Sequence, residues 1–156
     1  MRIDQTMTGT VYTCFPDDSL NAAAKLMWDH DCGCVPVVDS AGKVLGILTD
    51  RDICMAAYLQ GEALWRLRCA DVMSKQVQTV LPDATVQDAE TIMQTHQIRR
   101  LPVTDADGRL VGILSLNDLA RLAGQTRGRK TNGLSAESIE ATLAAVSALR
   151  PRAPTA

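Results

Sequence analysis

Residues 14–53 read CFPDDSLNAAAKLMWDHDCGCVPVVDSAGKVLGILTDRDI, and residues 80–119 read VLPDATVQDAETIMQTHQIRRLPVTDADGRLVGILSLNDL. Laid on each other at a constant offset of 66 with no gap, they agree at 13 of 40 positions, where residue usage alone gives about three. The identities include Pro16/Pro82, Asp17/Asp83, Met27/Met93, Pro36/Pro102, Asp39/Asp105, Gly42/Gly108, Gly46/Gly112 and Asp52/Asp118. Apolar exchanges keep the same phase (Leu20/Val86, Leu26/Ile92, Val44/Leu110, Ile53/Leu119), so both copies bury the same faces.

Each copy spells strand, helix, strand, strand, helix. In the first, Val11 to Cys14 reads as a short strand, and Asp18 or Ser19 caps a helix with Leu20, Ala23, Ala24 and Met27 on one face, stopped at Gly33. Val35 to Asp39 and Val44 to Leu48 form a hairpin across the turn Ser40-Ala41-Gly42-Lys43, and Thr49 starts a helix that runs to about Leu59. The second copy repeats this with Val77 to Val80, Thr85 to His96, Leu101 to Asp105, Leu110 to Leu114 and Ser115 to about Leu122. A half of this size buries little apolar surface alone, so the copies should share one core about a pseudo-twofold axis. The expected fold is α/β of the α+β kind: motif 1 over 1–60, a connector over 61–71 whose Leu64 and Leu67 cover the joint, and motif 2 over 72–123. A tail over 124–156 holds a basic linker, one more helix and a disordered end.

The composition fits a globular chain of 156 residues, with 46% hydrophobic and 22% charged positions. Only 3% are aromatic (Tyr12, Phe15, Trp28, Tyr58, Trp65), too few for a base-stacking platform. No long apolar run marks a membrane span, Met1 to Thr10 lack the pattern of a secretory signal, and five cysteines form no disulfide framework; a cytoplasmic protein is expected. The net charge of −2 divides into an acidic body and a basic tail, which is not the footprint of a nucleic-acid binder, and no membrane role is expected either.

The ordered fragments Val35-Pro36-Val37 with Asp39, Gly42 and Gly46-Ile47-Leu48-Thr49-Asp50-Arg51-Asp52 are matched by Leu101-Pro102-Val103 with Asp105, Gly108 and Gly112-Ile113-Leu114-Ser115-Leu116-Asn117-Asp118. With Asp71-Val72-Met73 ahead of the second copy, this pattern resembles a tandem cystathionine-β-synthase (CBS) domain pair, a Bateman module, over roughly residues 1–123. The resemblance implies a stand-alone regulatory module that binds adenosine-containing ligands in clefts between the motifs: AMP, ADP or ATP ahead of S-adenosylmethionine or NAD, with no cofactor required. It implies that Asp52 and Asp118 accept from ribose hydroxyls and that Thr49 and Ser115 help hold ribose or phosphate. Val11, Val35 and Pro36, with Val77, Leu101 and Pro102, would line the adenine slot. It also implies a homodimer that signals to a separate effector protein.

The same residues carry a second reading. Thr49-x-x-Asp52 and Ser115-x-x-Asp118 are capping arrangements in their own right, which suits a ligand-free interaction scaffold. Arg51, Arg99 and Arg100 are candidate phosphate partners, and since Gly33-Cys34 stands where the second copy has Arg99-Arg100, the two clefts should differ in charge. His30-Asp31-Cys32-Gly33-Cys34 invites a metal or redox reading through Cys32 and Cys34, though nothing nearby completes four ligands; structural thiols are the simpler account. No phosphate loop, His-Glu-x-x-His or nucleophile elbow occurs, so no catalysis is expected. In the tail, Ser135 caps a helix whose stripe of Ile139, Leu143, Val146 and Leu149 should dock on this body or a second subunit.

Overall fold

The computed structural model describes residues 1–125 and 134–149. Of the basic linker expected over 124–133, Gly124 and Gln125 belong to a helix and the rest lies outside them, as does the disordered end expected at 150–156. The first copy holds α1 (Leu20–Asp29), β1 (Cys34–Val38), β2 (Val44–Thr49) and α2 (Asp50–Gln60), and a short α3 (Cys69–Val72) follows the connector. The second holds α4 (Val86–His96), β3 (Arg100–Thr104), β4 (Leu110–Ser115) and α5 (Leu116–Gln125), and α6 (Ala136–Ser147) lies in the tail. Each hairpin is antiparallel, with Val37 opposite Gly46 and Val103 opposite Gly112, and each bulges one residue later. The repeated Asp and Gly build the turns: Asp39 Oδ1 accepts from the amides of Ala41 and Lys43 at 2.9 and 2.8 Å while Gly42 takes φ +80°, and Asp105 and Gly108 do the same.

Two expectations give way. The opening strand of each copy shrinks to one parallel bridge, Cys14 to Val37 and Val80 to Val103, because Pro36 and Pro102 have no N–H with which to carry the ladder back along Val11–Cys14 and Val77–Val80. And α1 ends before Gly33: the left-handed residue is Asp31 (φ +48°), as it is Gln97 (φ +50°) after α4. Non-glycine residues hold the left-handed position in both copies, so glycine is not the stop signal there.

The shared core is also replaced by two separate ones. Leu20, Met27, Val35, Val37 and Leu48 fill the first, while Val86, Met93, Leu101, Val103 and Leu114 fill the second. Neither is closed by its own motif alone. Leu67 and Cys69, which follow motif 1, seal the first core, and Ile3, at the other end of the chain from motif 2, seals the second. Leu64 and Leu67 therefore pack on motif 1 rather than on the joint.

The sealing segments are held by matching backbone bonds. Leu20 N–H donates to Leu67 O (2.8 Å), Cys69 N–H to Asp18 O (2.8 Å) and Ala70 N–H to Pro16 O (2.9 Å). Sixty-six residues away, Val86 N–H donates to Met1 O (3.0 Å), Ile3 N–H to Ala84 O (2.9 Å) and Asp4 N–H to Pro82 O (2.9 Å). Ser74 and Ile47 exchange two bonds, as do Thr8 and Ile113. At the hairpin tips, Val44 N–H donates to Gly108 O (3.2 Å) and Leu110 N–H to Gly42 O (2.9 Å), joining the motifs across the pseudo-twofold axis. The structural repeat thus starts at Met1 and Leu67, well before the segment where identities are dense.

The tail helix docks within the chain. Leu134, Ile139 and Val146 pack on the second core, and the buried Thr142 Oγ1 accepts from Gln94 Nε2 at 2.8 Å. Gln97 Nε2 donates to the carbonyls of Ala145 and Ala148 at 3.2 and 3.1 Å. Leu143 and Leu149 of the expected stripe stay exposed, because the docked face is centred on Thr142.

Each sealing strand crosses a glycine. A Cβ on Gly46 would press on Met73 Sδ, lie 2.8 Å from Met73 Cγ and 3.0 Å from the Ser74 carbonyl; on Gly112 it would press on Met7 alone, 3.1 Å from Cγ. Gly46→Ala should therefore lose about 1–3 kcal/mol in urea denaturation, and Gly112→Ala less, since a methionine end can swing aside and a backbone carbonyl cannot. Unchanged stability of Gly46→Ala would contradict the close approach.

Candidate functional site

The four residues expected to carry ligand chemistry all sit at helix starts. Thr49 N–H and Oγ1 donate to Asp52 Oδ2 at 2.9 and 2.7 Å, and Asp52 N–H returns a bond to Thr49 Oγ1 at 3.2 Å. Ser115 and Asp118 repeat the box at 2.8, 2.5 and 3.2 Å. The capping reading is thus realised in both copies. A third box at Thr85 and Asp88, where the Thr85 hydroxyl and amide hold the Asp88 carboxyl below its usual range, shows that the box alone does not mark a site. A box engages only one carboxylate oxygen, however, and leaves the other with its lone pairs. On Asp118 that oxygen, Oδ1, faces Arg121 Nη2.

Asp118 and Ser115 differ from Thr85 and Asp88 in opening onto a cleft of about 390 Å³, within the range of small-molecule sites. One wall is the segment Thr8, Thr10, Val11 and Tyr12; a second is the loop from His30 to Cys34 after α1; the third comes from Ile113, Ser115, Asn117, Asp118 and Arg121, with Arg100 between. Both copies build it, because the Thr8–Ile113 pairing carries the N-terminal segment to β4. Tyr12 and His30 stack face to face, ring centroids 3.4 Å apart and planes 6° from parallel. Gly33 is explained here: a Cβ would stand 2.7 Å from Arg100 Nη2 and 3.3 Å from Asp50 Oδ2, so the bare backbone gives the guanidinium its place. The cleft combines a largely buried carboxylate, two guanidinium groups and an aromatic pair. Such a set can accept from a diol and donate to an anionic oxygen.

Of the other expected residues, Val11 and Arg100 line this cleft. Val35 and Leu101 do not: their side chains are fully buried in the two cores, and Pro36 and Pro102 beside them are buried too. The strand they open is buried along its length, so its apolar residues serve packing. Val77 is half-buried, and Val77 and Arg99 lie outside the cleft lining; Arg51 and Arg99 are exposed. Around Asp52 the repeat places Gln78, Arg99, Arg51 and Met55 where Asp118 has Tyr12, Gly33, Asn117 and Arg121. The repeat-related surroundings of Asp52 and Asp118 are therefore chemically unlike. Sequence reasoning missed Tyr12, His30 and Arg121 as cleft residues; the spacing of Arg121, three after Asp118 on one helix, was the available signal.

Among the described residues no three His, Cys, Asp or Glu side chains gather as metal ligands. Burial pushes the Cys34 thiol up to about 11, against the pull of Arg100. Cys14 and Cys69, both buried, hydrogen-bond to each other, and that bond with burial pushes Cys14 up strongly.

The sequence pattern of the CBS domain matches residues 3–58 and again residues 69–124. The chain belongs to the CBS-domain family. It is 37% identical over 139 residues to the CBS domain-containing protein YhcV of Bacillus subtilis, covering 88% of this chain and 97% of that protein. Its fold superposes on the CBS domain pair of protein MJ0100, solved in complex with 5'-methylthioadenosine and S-adenosyl-L-methionine, with a TM-score of 0.74 and 28% identity over 81% of this chain and 98% of the other. CBSX2, solved in complex with AMP, matches with a TM-score of 0.71 and 26% identity over 81% and 98%. The N-terminal bound of each match, residues 3 and 69, is again separated by 66, in line with the sealing segments of the CBS pair described above.

With its pKa raised, Cys34 is thiolate to only about one part in a thousand at pH 8. Brief iodoacetamide treatment of the native protein at that pH should label the exposed Cys54 and leave Cys14, Cys34 and Cys69 unmodified by mass spectrometry. Labelling of Cys34 as fast as Cys54 would revive a reactive-thiol role for it.

Proposed function

We propose that this CBS pair is a regulatory module that binds an adenosine-containing nucleotide in the Asp118 cleft and passes the resulting rearrangement to a separate effector protein. The observation that carries this is the convergence on one cleft of Asp118, Arg100 and Arg121 from the second copy with Tyr12 and His30 from the first. The CBS domain pair of MJ0100 and CBSX2, each covered to 98% of the solved chain, were solved with adenosine-containing molecules. The two guanidinium groups favour AMP, ADP or ATP over uncharged adenosine derivatives, and S-adenosylmethionine and NAD rank behind them. Asp118 is assigned to the ribose hydroxyls, Ser115 and Arg100 to phosphate, and Tyr12 to the base. Because the cleft spans both copies, a ligand that prefers one inter-motif angle biases it by its differential affinity. The module acts without catalysis, as a homodimer, in the cytoplasm, where its five unpaired thiols suit a reducing medium.

Thermal-shift titration with AMP, ATP, S-adenosylmethionine, NAD and a cyclic dinucleotide tests the reading. At a hundredfold excess over Kd the true ligand should add about 2.7 kcal/mol to stability. Asp118→Ala loses a cap, about 1 kcal/mol, and is compared with its own ligand-free state; there it should show no shift, whereas Asp52→Ala keeps it. Arg100→Ala should weaken AMP about 10- to 100-fold, the worth of one charge-assisted hydrogen bond. Equal AMP affinity in Arg100→Ala removes the phosphate assignment. If no nucleotide moves the transition, the satisfied capping boxes are the whole role of the acids and the module is a ligand-free scaffold.

A further inference from the structure

Two thiols meet where motif 1 closes on its sealing segment. Cys14 stands on the short bridge to β1, its N–H donating to Pro36 O (3.1 Å) and its carbonyl accepting from Val38 N–H (2.9 Å). Cys69 opens α3, with its N–H donating to Asp18 O (2.8 Å) and its Sγ 3.9 Å from the Ser19 carbonyl. Both side chains are fully buried in the first core and hydrogen-bonded to each other. The second copy builds the same junction without sulfur: Val80 stands for Cys14 and Ile3 for Cys69, both buried in the second core. Either pair serves packing, so the thiols add a chemistry that the fold itself does not need. Neither lines the Asp118 cleft, and the nucleotide reading makes no use of them.

We infer that Cys14 and Cys69 form a dithiol modification site, joined by a hydroperoxide into a disulfide that locks the sealing segment onto motif 1 and reopened by a thiol reductant. Sulfurs already in hydrogen-bond contact need little backbone movement to bond. Cys69 is the attacking sulfur, because the bond from Cys14 holds it below the usual thiol range while Cys14 is held above it. Its thiolate takes one oxygen of the peroxide, the O–O bond breaks, and the alkoxide or hydroxide that leaves picks up a proton; Cys69 is then a sulfenic acid. Cys14 loses its proton as its sulfur attacks that of Cys69, the S–O bond breaks and water leaves. The two sulfurs give up two electrons in all, and the O–O bond takes them. Burial selects the reagent: hydrogen peroxide is little larger than water and reaches Cys69 when the segment opens locally, whereas a bulky alkylating agent is kept out. The closed loop runs from Cys14 to Cys69 and so contains both helices and the hairpin of motif 1, which removes freedom from the unfolded motif. Motif 2, with Val80 and Ile3, has no counterpart, and oxidation therefore stiffens one copy only.

The test uses the full chain carrying Cys54→Ser, which removes the exposed thiol and its intermolecular chemistry. The folded, reduced protein is treated with a few equivalents of hydrogen peroxide, then unfolded in N-ethylmaleimide and digested with trypsin. Trypsin releases Cys14 in residues 3–25 and Cys69 in residues 69–75, each the one cysteine of its peptide. Mass spectrometry should find these two peptides linked, with the link lost on treatment with dithiothreitol. The oxidised protein should melt about 5–15 °C above the reduced one. Cys14→Val on the same background, which installs the residue of the second copy, should show neither the link nor the rise. Recovery of Cys14 and Cys69 alkylated, of Cys69 as a sulfinic acid, or of Cys69 joined to Cys32 or Cys34 overturns the inference. A linked pair whose oxidised protein melts no higher than the reduced one overturns the lock. Should Cys14→Val fail to fold, the Cys54→Ser chain decides each of these outcomes by itself.

Discussion

Two reciprocal strand exchanges hold this molecule together. The segment after motif 1 runs back across β2 through Ser74 and Ile47, and the segment before motif 1 runs across β4 through Thr8 and Ile113. Each exchange buries an apolar residue, Cys69 or Ile3, that the recipient core lacks. A hairpin with a pair of helices on one face has too little area to close alone. Borrowing a strand from outside the motif solves this twice, and the glycines that admit Met73 and Met7 follow from it. So does the cleft, because the borrowed N-terminal segment continues from Thr8 into Val11 and Tyr12, one wall of the candidate site.

Most of the architecture is legible in the sequence because the offset of 66 is a strong constraint. One turn, one hairpin and one capped helix read in the first copy are tested at once against the second. Legibility fails where chemistry is carried by backbone rather than side chains. Over residues 1–13 and 67–79 only Arg2/Arg68, Met7/Met73, Val11/Val77 and Thr13/Thr79 agree, yet the backbone bonds from these segments to the motif each one seals match pair for pair. Amide and carbonyl pairing tolerates any residue but proline, so it leaves little trace. The site divides in the same way. Asp118 and Arg100 are found from their motifs, while Val35 and Leu101 match the motif but serve the core; a buried strand shows an apolar run whichever face a ligand uses.

At Asp118 the cap is compatible with the ligand role proposed for it. One carboxylate oxygen holds the first turn of α5 and the other accepts from Arg121, so the box that stabilises the helix also sets the acid beside a guanidinium that lines the cleft. At Thr85 and Asp88 the same box aims at solvent. What separates the two is the surroundings, which the repeat lets diverge: gene-like duplication of a scaffold leaves the caps alike and the walls free to differ, as Tyr12 against Gln78 and Arg121 against Met55 show.

The exchanged segments also impose an order on folding as the chain is made. Motif 1 can close as soon as residues 67–74 leave the ribosome, a short wait after its last helix. Motif 2 must instead recapture residues 1–8, whose partners lie some 80 to 105 positions later in the chain. Until then the N-terminal segment has nothing to pair with, and the loop it closes is the longest in the fold. The Asp118 cleft therefore comes into being last, at the moment residues 1–8 meet the far half of the chain, and only a chain that has completed both motifs has that cleft.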